Sequence, residues 1–209
     1  EKKISCGLDI EIYSPEALEE IKRESLSEEV QGLLTEAEEK LEAFNESMMD
    51  VIAPKDISIY VIKKEAVSSA EMEGIHASLD DLLHEESQDE DALKTFRLER
   101  AYHYGLDALK KIPLSMRLLK DVYSMYLYEK EGETSLRRHQ SYDGKSLGDA
   151  SVIFSAPEDL QELMENWEEY VNKKEGTPDL LQMIKAYEYF LQVSPFDDSN
   201  GILARIFIP

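Results

Sequence analysis

The stretch that decides the fold lies close to the C-terminus and reads Ser194-Pro195-Phe196-Asp197-Asp198-Ser199-Asn200-Gly201-Ile202-Leu203-Ala204-Arg205. It follows an amphipathic segment and passes through short polar residues and a glycine into a second apolar segment. A polar turn that opens a helix directs backbone N–H groups, with the positive end of the helix dipole behind them, toward one point. Such a point is suited to an anion, most often a phosphate. On composition alone, an ordinary corner between two helices explains the stretch more simply.

The individual residues of this stretch favour an anion site over an ordinary corner between two helices. It resembles the signature of the Fic family, written His-Pro-Phe-x-(Asp/Glu)-Gly-Asn-Gly-Arg-x-x-Arg. The matching positions are Pro195, Phe196, Asp198, Asn200, Gly201 and Arg205. Three positions differ, because Ser194 replaces the family's His, Ser199 its first Gly and Ile202 its first Arg. The match predicts the fold of that family, and the differences predict an impaired site.

A second motif lies upstream on a predicted helix. The segment from Ser69 to Gly74 is similar to the inhibitory motif (Ser/Thr)-x-x-x-Glu-(Gly/Asn), which many Fic proteins carry N-terminal to the core. In that family the Glu reaches the second Arg of the signature and prevents productive placement of the ATP γ-phosphate. The resemblance therefore implies a contact between Glu73 and Arg205, with Ser69 as the first residue of the motif.

Residues 135–155 are predicted to form a strand, a turn and a returning strand. Asp143-Gly144 is typical of a turn, and Val152-Ile153-Phe154 favours the returning strand. A surface hairpin explains this pattern by itself. The segment 136–140 also resembles the entrance to the β-hairpin flap of Fic domains, which in that family holds a target polypeptide by strand addition. The resemblance thus implies a protein target or partner at Val152, Ile153 and Phe154.

Composition limits the partners and the compartment. Among 209 residues, 45 acidic and 23 Lys or Arg side chains give a formal net charge of −22. Such a chain repels nucleic acids and anionic membranes, although a nucleotide can still bind at one local site. The single cysteine, Cys6, cannot form an internal disulfide and fits a reducing compartment. The expectation is therefore a cytoplasmic protein without nucleic-acid or membrane partners, and homo-oligomerisation stays open.

The spacing of apolar residues predicts a mainly α chain, arranged as a Fic-like helical bundle with a small β-hairpin flap. Residues 1–55 are expected to be an N-terminal helical extension, and residues 56–209 the Fic-like domain, with the inhibitory helix over about 64–74. Residues 56–62 fit a strand as well as a helix. The resemblance also implies a last helix that continues beyond Pro209. Helices are predicted over 14–50, 63–74, 79–84, 90–111, 115–126, 157–173, 179–193 and 203–208.

Several residues are predicted to begin or end these helices. Ser14-Pro15 is expected to open the first helix and Pro54 to end it. Gly74 is expected to end the inhibitory helix, and Ser78 with Asp81 forms a capping-box pattern for the next one. Ser115 and Thr177 are the remaining predicted N-caps.

The resemblance also implies a reaction, the transfer of AMP from ATP to a Ser, Thr or Tyr hydroxyl of a target protein. Carried over by position, Asp198 would help to hold Mg²⁺. Ser199, Asn200 and Gly201 would line the phosphate pocket, and Arg205 would meet the γ-phosphate or Glu73. ATP with Mg²⁺ is thus the expected cofactor.

The general base of this reaction is missing, because the hydroxyl of Ser194 does not accept a proton near neutral pH as an imidazole does. Loss of a general base costs roughly 10²–10⁴ in rate. The leading hypothesis is a catalytically impaired Fic protein that binds nucleotide weakly. One alternative is an active, autoinhibited AMP transferase with an unusual base such as His139. The other is a non-enzymatic interaction module that uses the flap.

Overall fold

The computed structural model describes residues 2–5, 9–49, 54–84, 89–128, 134–173 and 176–208. Cys6, Asp50 and Pro209, on which some of the predictions above depend, lie outside these ranges. The chain is mainly helical with a small hairpin, as predicted. The helices are α1 (Glu28–Met49), α2 (Pro54–Glu71), α3 (Leu79–His84), α4 (Glu90–Leu109), α5 (Met116–Leu127), α6 (Leu160–Val171), α7 (Asp179–Val193) and α8 (Asn200–Ile206). The strands β1 (Lys2–Ser5) and β2 (Asp9–Ile12) form one antiparallel pair, and β3 (Tyr142–Asp143) and β4 (Val152–Ile153) form another.

The short helix α8 lies at the centre of the helical bundle. It contacts α2, α4, α5 and α7, while α4 packs against α2 and α5, and α6 packs against α7. Ile202, Leu203 and Ile206 of α8 are buried among the core side chains of these helices. The end of α7 and the polar turn directly precede this apolar helix. Burial of the helix therefore fixes their positions. No helix in the described part of the chain combines the length and the apolar character needed to cross a membrane.

The segment before α1 differs from the predicted helix over 14–50. Residues 13–22, which we call the strap, have no regular secondary structure, and α1 begins only at Glu28 after a short 3₁₀ turn. Ser14-Pro15 therefore opens no helix. Within the strap, Leu18 N–H donates to the side-chain oxygen of Asn166 on α6 at 2.8 Å. Asn166 lies in a distant part of the chain, and its hydrogen bond replaces an intrahelical bond that the local pattern favours.

Thr177 was predicted to cap α7 but has another partner. Its hydroxyl accepts a hydrogen bond from Ile21 N–H of the strap at 2.9 Å, and Pro178 occupies the N-cap position of α7 without a side-chain cap. Since Thr177 is engaged by the strap, a residue that fits a local helix signal serves a long-range contact instead.

Helix α2 resolves the ambiguous segment 56–62, which is helical. Pro54 is the first residue of α2 rather than the end of the helix before it. Proline fits this position because its missing N–H would have no intrahelical partner in the first turn. The helix ends at Glu71, slightly before the predicted end at residue 74, and Gly74 follows in the terminating turn with the left-handed φ of +73° that favours glycine there. Glu73 therefore lies in the turn that follows α2, close to the helix end.

Two other predicted caps are present. Ser78 and Asp81 form a reciprocal capping box, in which Ser78 N–H donates to the Asp81 carboxylate at 2.8 Å and Asp81 N–H donates to the Ser78 hydroxyl at 3.2 Å. Ser115 accepts from Leu118 N–H at the start of α5. These signals succeed because both partners lie within one helical turn of each other.

The flap is a hairpin shorter than the predicted span of 135–155. Tyr142 pairs with Ile153 and Asp143 with Val152. Residues 134–140 precede β3 without forming a strand. The side-chain amide of Gln140 donates to the carbonyl of Phe154 at 2.6 Å, which joins the two arms of the hairpin where the ladder ends.

Candidate functional site

Phe196 anchors the polar turn between α7 and α8, residues 194–199, which we call the signature loop. Its side chain is fully buried, with its ring centroid 4.5 Å from that of Tyr123 on α5 and 6.5 Å from that of Phe190 on α7. Aromatic pairs at such distances add to the free energy of burial. The loop is therefore attached to the core by one large apolar side chain, while Asp197 and Asp198 are left exposed at the surface of the bundle.

Asn200 closes the signature loop on itself. Its side-chain oxygen accepts from Phe196 N–H at 3.0 Å, and its amide nitrogen donates to the Phe196 carbonyl at 2.9 Å. Both ends of the amide are thus engaged by the backbone of one residue. In the structure, this predicted pocket residue stabilises the conformation of the loop through these two hydrogen bonds.

Two residues of the signature loop have left-handed backbone conformations. Ser194 has φ of +49° and Ser199 φ of +56°. Glycine adopts this region without steric cost, whereas residues with a Cβ are strained there. The sequence places Ser199 where the resembling signature has glycine, and the structure shows that this position requires a positive φ. Ser194 ends α7, is 6% exposed, and donates its N–H to the Phe190 carbonyl.

Arg205 binds both predicted residues of the upstream motif. Its Nε donates to Ser69 Oγ at 2.8 Å, and its Nη2 donates to the Ser69 carbonyl at 3.1 Å and to Glu73 Oε1 at 2.7 Å. The guanidinium is buried at 8% residue exposure, and Ser69 at 1%. The structure therefore brings together residues that lie 132 positions apart in the sequence. Whether the contact inhibits the protein stays a prediction.

The Glu73 carboxylate lies against the first turn of α8. A Cβ added at Gly201 would collide with Glu73 Oε1 and would also press on Arg205 Nη1. Glycine is thus needed at this position for close approach of the carboxylate rather than for backbone freedom, since Gly201 is helical. An acidic group already occupies the place where the sequence predicts that phosphate oxygens bind.

Asp198 is the predicted metal ligand and is exposed. Its Oδ1 accepts hydrogen bonds from the hydroxyls of Tyr123 at 3.0 Å and Ser199 at 2.7 Å. Burial, followed by the negative charge of Asp198, raises the pKa of Tyr123 far above its usual range, so this hydroxyl is a permanent donor. The hydrogen bonds that Asp198 accepts on its side chain from the described residues go to Oδ1, which leaves Oδ2 for a cation.

Arg137 is a central residue of the site that sequence reasoning missed. It is 3% exposed, and its guanidinium donates to the carbonyls of Ser194, Val193, His139 and Ser155. Its own N–H donates to the Pro195 carbonyl at 3.0 Å. One cation thereby joins the end of α7, the signature loop, and the segments that lead into β3 and out of β4. Its presence in the flap-entrance segment 136–140 was a signal, but the segment alone does not show which carbonyls it meets.

Ile202 and His139 are placed away from the predicted chemistry. Ile202 is 1% exposed and belongs to the hydrophobic core, so this position faces the bundle interior rather than the loop surface. The side chain of His139, the candidate alternative base, is exposed, and within the described residues no hydrogen bond or ion pair joins its imidazole to the signature loop. In the flap, Val152 is 44% exposed, while Ile153 and Phe154 are half-buried.

Two family models match most of this sequence. The Fic/DOC family model matches residues 113–209, and the Fic/DOC family N-terminal model matches residues 31–110. The chain belongs to the Fic/DOC family. The C-terminal match of this Fic protein contains the flap, the signature loop and α8, and the N-terminal match contains Ser69 and Glu73. The strap precedes the first matched residue.

Two solved structures share the fold of this Fic protein at low sequence identity. One is a Fic domain containing signaling protein from Bacteroides thetaiotaomicron VPI-5482, with a TM-score of 0.63 and 17% identity over 81% of this chain and 69% of that one. The other is a Fic family protein from Desulfovibrio desulfuricans G20, with a TM-score of 0.63 and 12% identity over 87% of this chain and 56% of that one. This Fic protein thus spans little more than half the length of the second relative.

Proposed function

We propose that this protein is a Fic-family member that binds Mg²⁺·ATP weakly, is held closed by Glu73, and transfers AMP only at a strongly reduced rate. The family includes AMP transferases, which supports the choice of ligand and reaction. The observation that carries the proposal is the 2.7 Å hydrogen bond between Arg205 Nη2 and Glu73 Oε1. This bond engages the arginine that, by the family resemblance, meets the γ-phosphate.

The residues that match the family signature suit a nucleotide with its metal. Asp198 would hold Mg²⁺ through Oδ2, and one carboxylate with the substrate phosphates is a usual donor set for this ion. The bound ion would neutralise phosphate charge. Arg205 would bind phosphate once Glu73 has moved, and Gly201 gives an approach to the start of α8 that a side chain would close. The donor set therefore fits Mg²⁺·ATP.

The chemistry is limited by Ser194. A serine hydroxyl in place of an imidazole leaves no group at this position to take the proton of an attacking hydroxyl near neutral pH. Ile202 adds to the deficit, because a buried aliphatic side chain donates nothing to a phosphate. These two residues explain why we propose weak binding and slow transfer rather than an efficient enzyme.

Nucleotide binding tests the first part of the proposal. We expect Glu73→Ala to tighten Mg²⁺·ATP binding by about tenfold over the wild type in calorimetric titration, since this change frees Arg205; tenfold corresponds to about 1.4 kcal/mol. Glu71→Ala is the matched control, because Glu71 is exposed and ends the same helix. Absence of binding in both the wild type and Glu73→Ala at millimolar nucleotide contradicts the proposed nucleotide site.

Restoration of the missing base tests the second part. In the Glu73→Ala protein, we expect Ser194→His to raise transfer of labelled AMP to protein by roughly 10²–10⁴. Histidine tolerates the left-handed conformation of this position better than most residues do. If Glu73→Ala alone transfers AMP as fast as the double variant, loss of the base does not limit the transfer rate, and the proposed catalytic impairment is wrong.

The proposed partner is a polypeptide that adds to the flap as a strand. Strand addition uses backbone groups at an exposed edge, and side chains such as Val152 on one face give selectivity. The target would present a hydroxyl side chain toward Arg205 and Asp198.

A further inference from the structure

The backbone of β4 has one edge that faces away from β3. Phe154 N–H donates to the Ser141 carbonyl at 3.1 Å, so the polar groups of residue 154 face β3. Since backbone groups alternate along a strand, those of Ile153 face outward. A strand that adds to β4 needs the outward carbonyl of Ile153 as an acceptor.

This acceptor is already used by the strap. Tyr13 N–H donates to the Ile153 carbonyl at 3.2 Å. We infer that the strap is a built-in occupant of the β4 edge, which excludes a target strand until the strap is released. The consequence for a target rests on the proposed function, while the occupancy itself does not.

The strap is attached at separate points along its length. Beyond the flap contact, the hydroxyl of Tyr13 donates to Gln192 on α7 at 3.3 Å. Farther along, Leu18 N–H and Ile21 N–H are held by Asn166 and Thr177, as described above. The strap is therefore a continuous tether whose far end fixes the position of the end that binds the flap, which keeps its effective concentration at β4 high.

The strap packs against the core through Leu18 but also borders open space. A cavity of about 730 Å³ lies between it and α7, lined by both apolar and polar side chains. Tyr170 and Tyr189 are among the residues that line this cavity, and their hydroxyls are buried and have no hydrogen-bond partner among the described residues. This side of the strap is therefore less tightly packed than a segment of the core.

Amide exchange of the intact 209-residue chain tests the tether without nucleotide. Asn166→Leu with Thr177→Val removes both side-chain acceptors at the far end. We expect the Tyr13 amide, whose own acceptor is unchanged, to exchange about tenfold faster in this double variant when followed by NMR. Asn172→Leu is the control, because Asn172 caps α6 and binds Leu114 and Glu168 but no strap residue. A Tyr13 amide that exchanges equally in all three proteins overturns the inference.

A peptide in trans tests the edge itself. The probe is a fluorescent peptide of residues 9–16, Asp-Ile-Glu-Ile-Tyr-Ser-Pro-Glu, which contains Tyr13 but ends before Leu18 and Ile21, so the double variant removes none of its own acceptors. We expect it to bind the double variant about tenfold more tightly than the wild type, because the strap competes less. The same peptide with an N-methyl group at the Tyr13 nitrogen lacks the donor and should not bind. Equal affinity for both proteins, or no effect of N-methylation, overturns the inference.

The two proposals fail in different measurements. Exchange and peptide binding use neither ATP nor Mg²⁺, so absence of AMP transfer in every Glu73 and Ser194 variant contradicts the proposed function and leaves the strap inference intact. Conversely, Glu73→Ala could change nucleotide binding while the Tyr13 amide exchanges at the same rate in the double variant and the wild type. That result contradicts the strap inference alone.

Discussion

At the scale of single residues, the signature loop combines strain with dense hydrogen bonding. Ser194 and Ser199 both have positive φ, and a left-handed conformation costs a residue with a Cβ roughly 1–2 kcal/mol. The loop tolerates this cost because Phe196 is buried and Asn200 binds both backbone groups of Phe196. The side chain of Ser199 returns part of the cost by donating to Asp198.

The strain at Ser199 predicts a difference between two substitutions. Ser199→Gly and Ser199→Ala both remove the hydroxyl, but only glycine relieves the backbone, so we expect the glycine variant to be more stable by about 1 kcal/mol in urea unfolding. Ser146 provides the control, because it also donates to an aspartate but has φ of −154°. There the glycine variant should be no more stable than the alanine variant. Equal stability of the two Ser199 variants contradicts the prediction.

At the scale of secondary-structure elements, Arg137 connects parts of the chain that are distant in the sequence. It is a buried cation that donates to carbonyls from the end of α7 and from both approaches to the flap. Burial lowers the pKa of this guanidinium, and the charge of Asp197 opposes the shift, yet an arginine keeps its charge in proteins. The flap is thereby held beside the signature loop by one side chain.

Removal of this side chain should loosen the flap and the loop together. Arg137→Met leaves several buried carbonyls without a donor, and each such group costs about 1–3 kcal/mol, so we expect a loss of about 3 kcal/mol or more in urea unfolding. Arg138→Met is the matched control, since the neighbouring Arg138 is exposed, and it should change stability by less than about 0.5 kcal/mol. Similar losses in both variants would mean that Arg137 has no special role.

At the scale of the whole molecule, several buried tyrosines make the fold sensitive to alkali. Burial is the largest cause that raises the pKa of Tyr102, Tyr123, Tyr126 and Tyr189. For Tyr189 the pKa rises to about 12, with smaller contributions from Glu162 and Tyr13. The unfolded chain releases these protons near pH 10, whereas the folded chain retains them. Stability is therefore fully present below about pH 10 and falls as the pH rises toward 12.

This linkage predicts the outcome of unfolding at different pH values. We expect the free energy of unfolding to fall steadily between about pH 10 and pH 12 in urea titrations, and Tyr189→Phe to reduce the slope. Tyr128→Phe is the control, because Tyr128 is 78% exposed and changes its surroundings little on unfolding. A slope that Tyr189→Phe leaves unchanged contradicts the assignment of this effect to Tyr189.

The sequence by itself determined the features whose partners are close along the chain. The capping box of Ser78 and Asp81, the N-cap at Ser115 and the turn at Gly74 are all present where the residue types predict them. The mainly α fold and its hairpin also follow, and the signature with its upstream motif led to the correct family. These predictions succeed because a helical turn or a short motif encodes both members of each interaction within a few residues.

Only the tertiary structure decided the contacts between distant segments. The strap is not helical because the N–H groups of Leu18 and Ile21 find acceptors about 150 residues away, on Asn166 and Thr177. Arg137 and Ile202 acquire their surroundings in the same way, the first from carbonyls of α7 and the flap and the second from the core around α8. A backbone donor takes whichever acceptor the packed fold places beside it, and local sequence spacing carries no information on that choice.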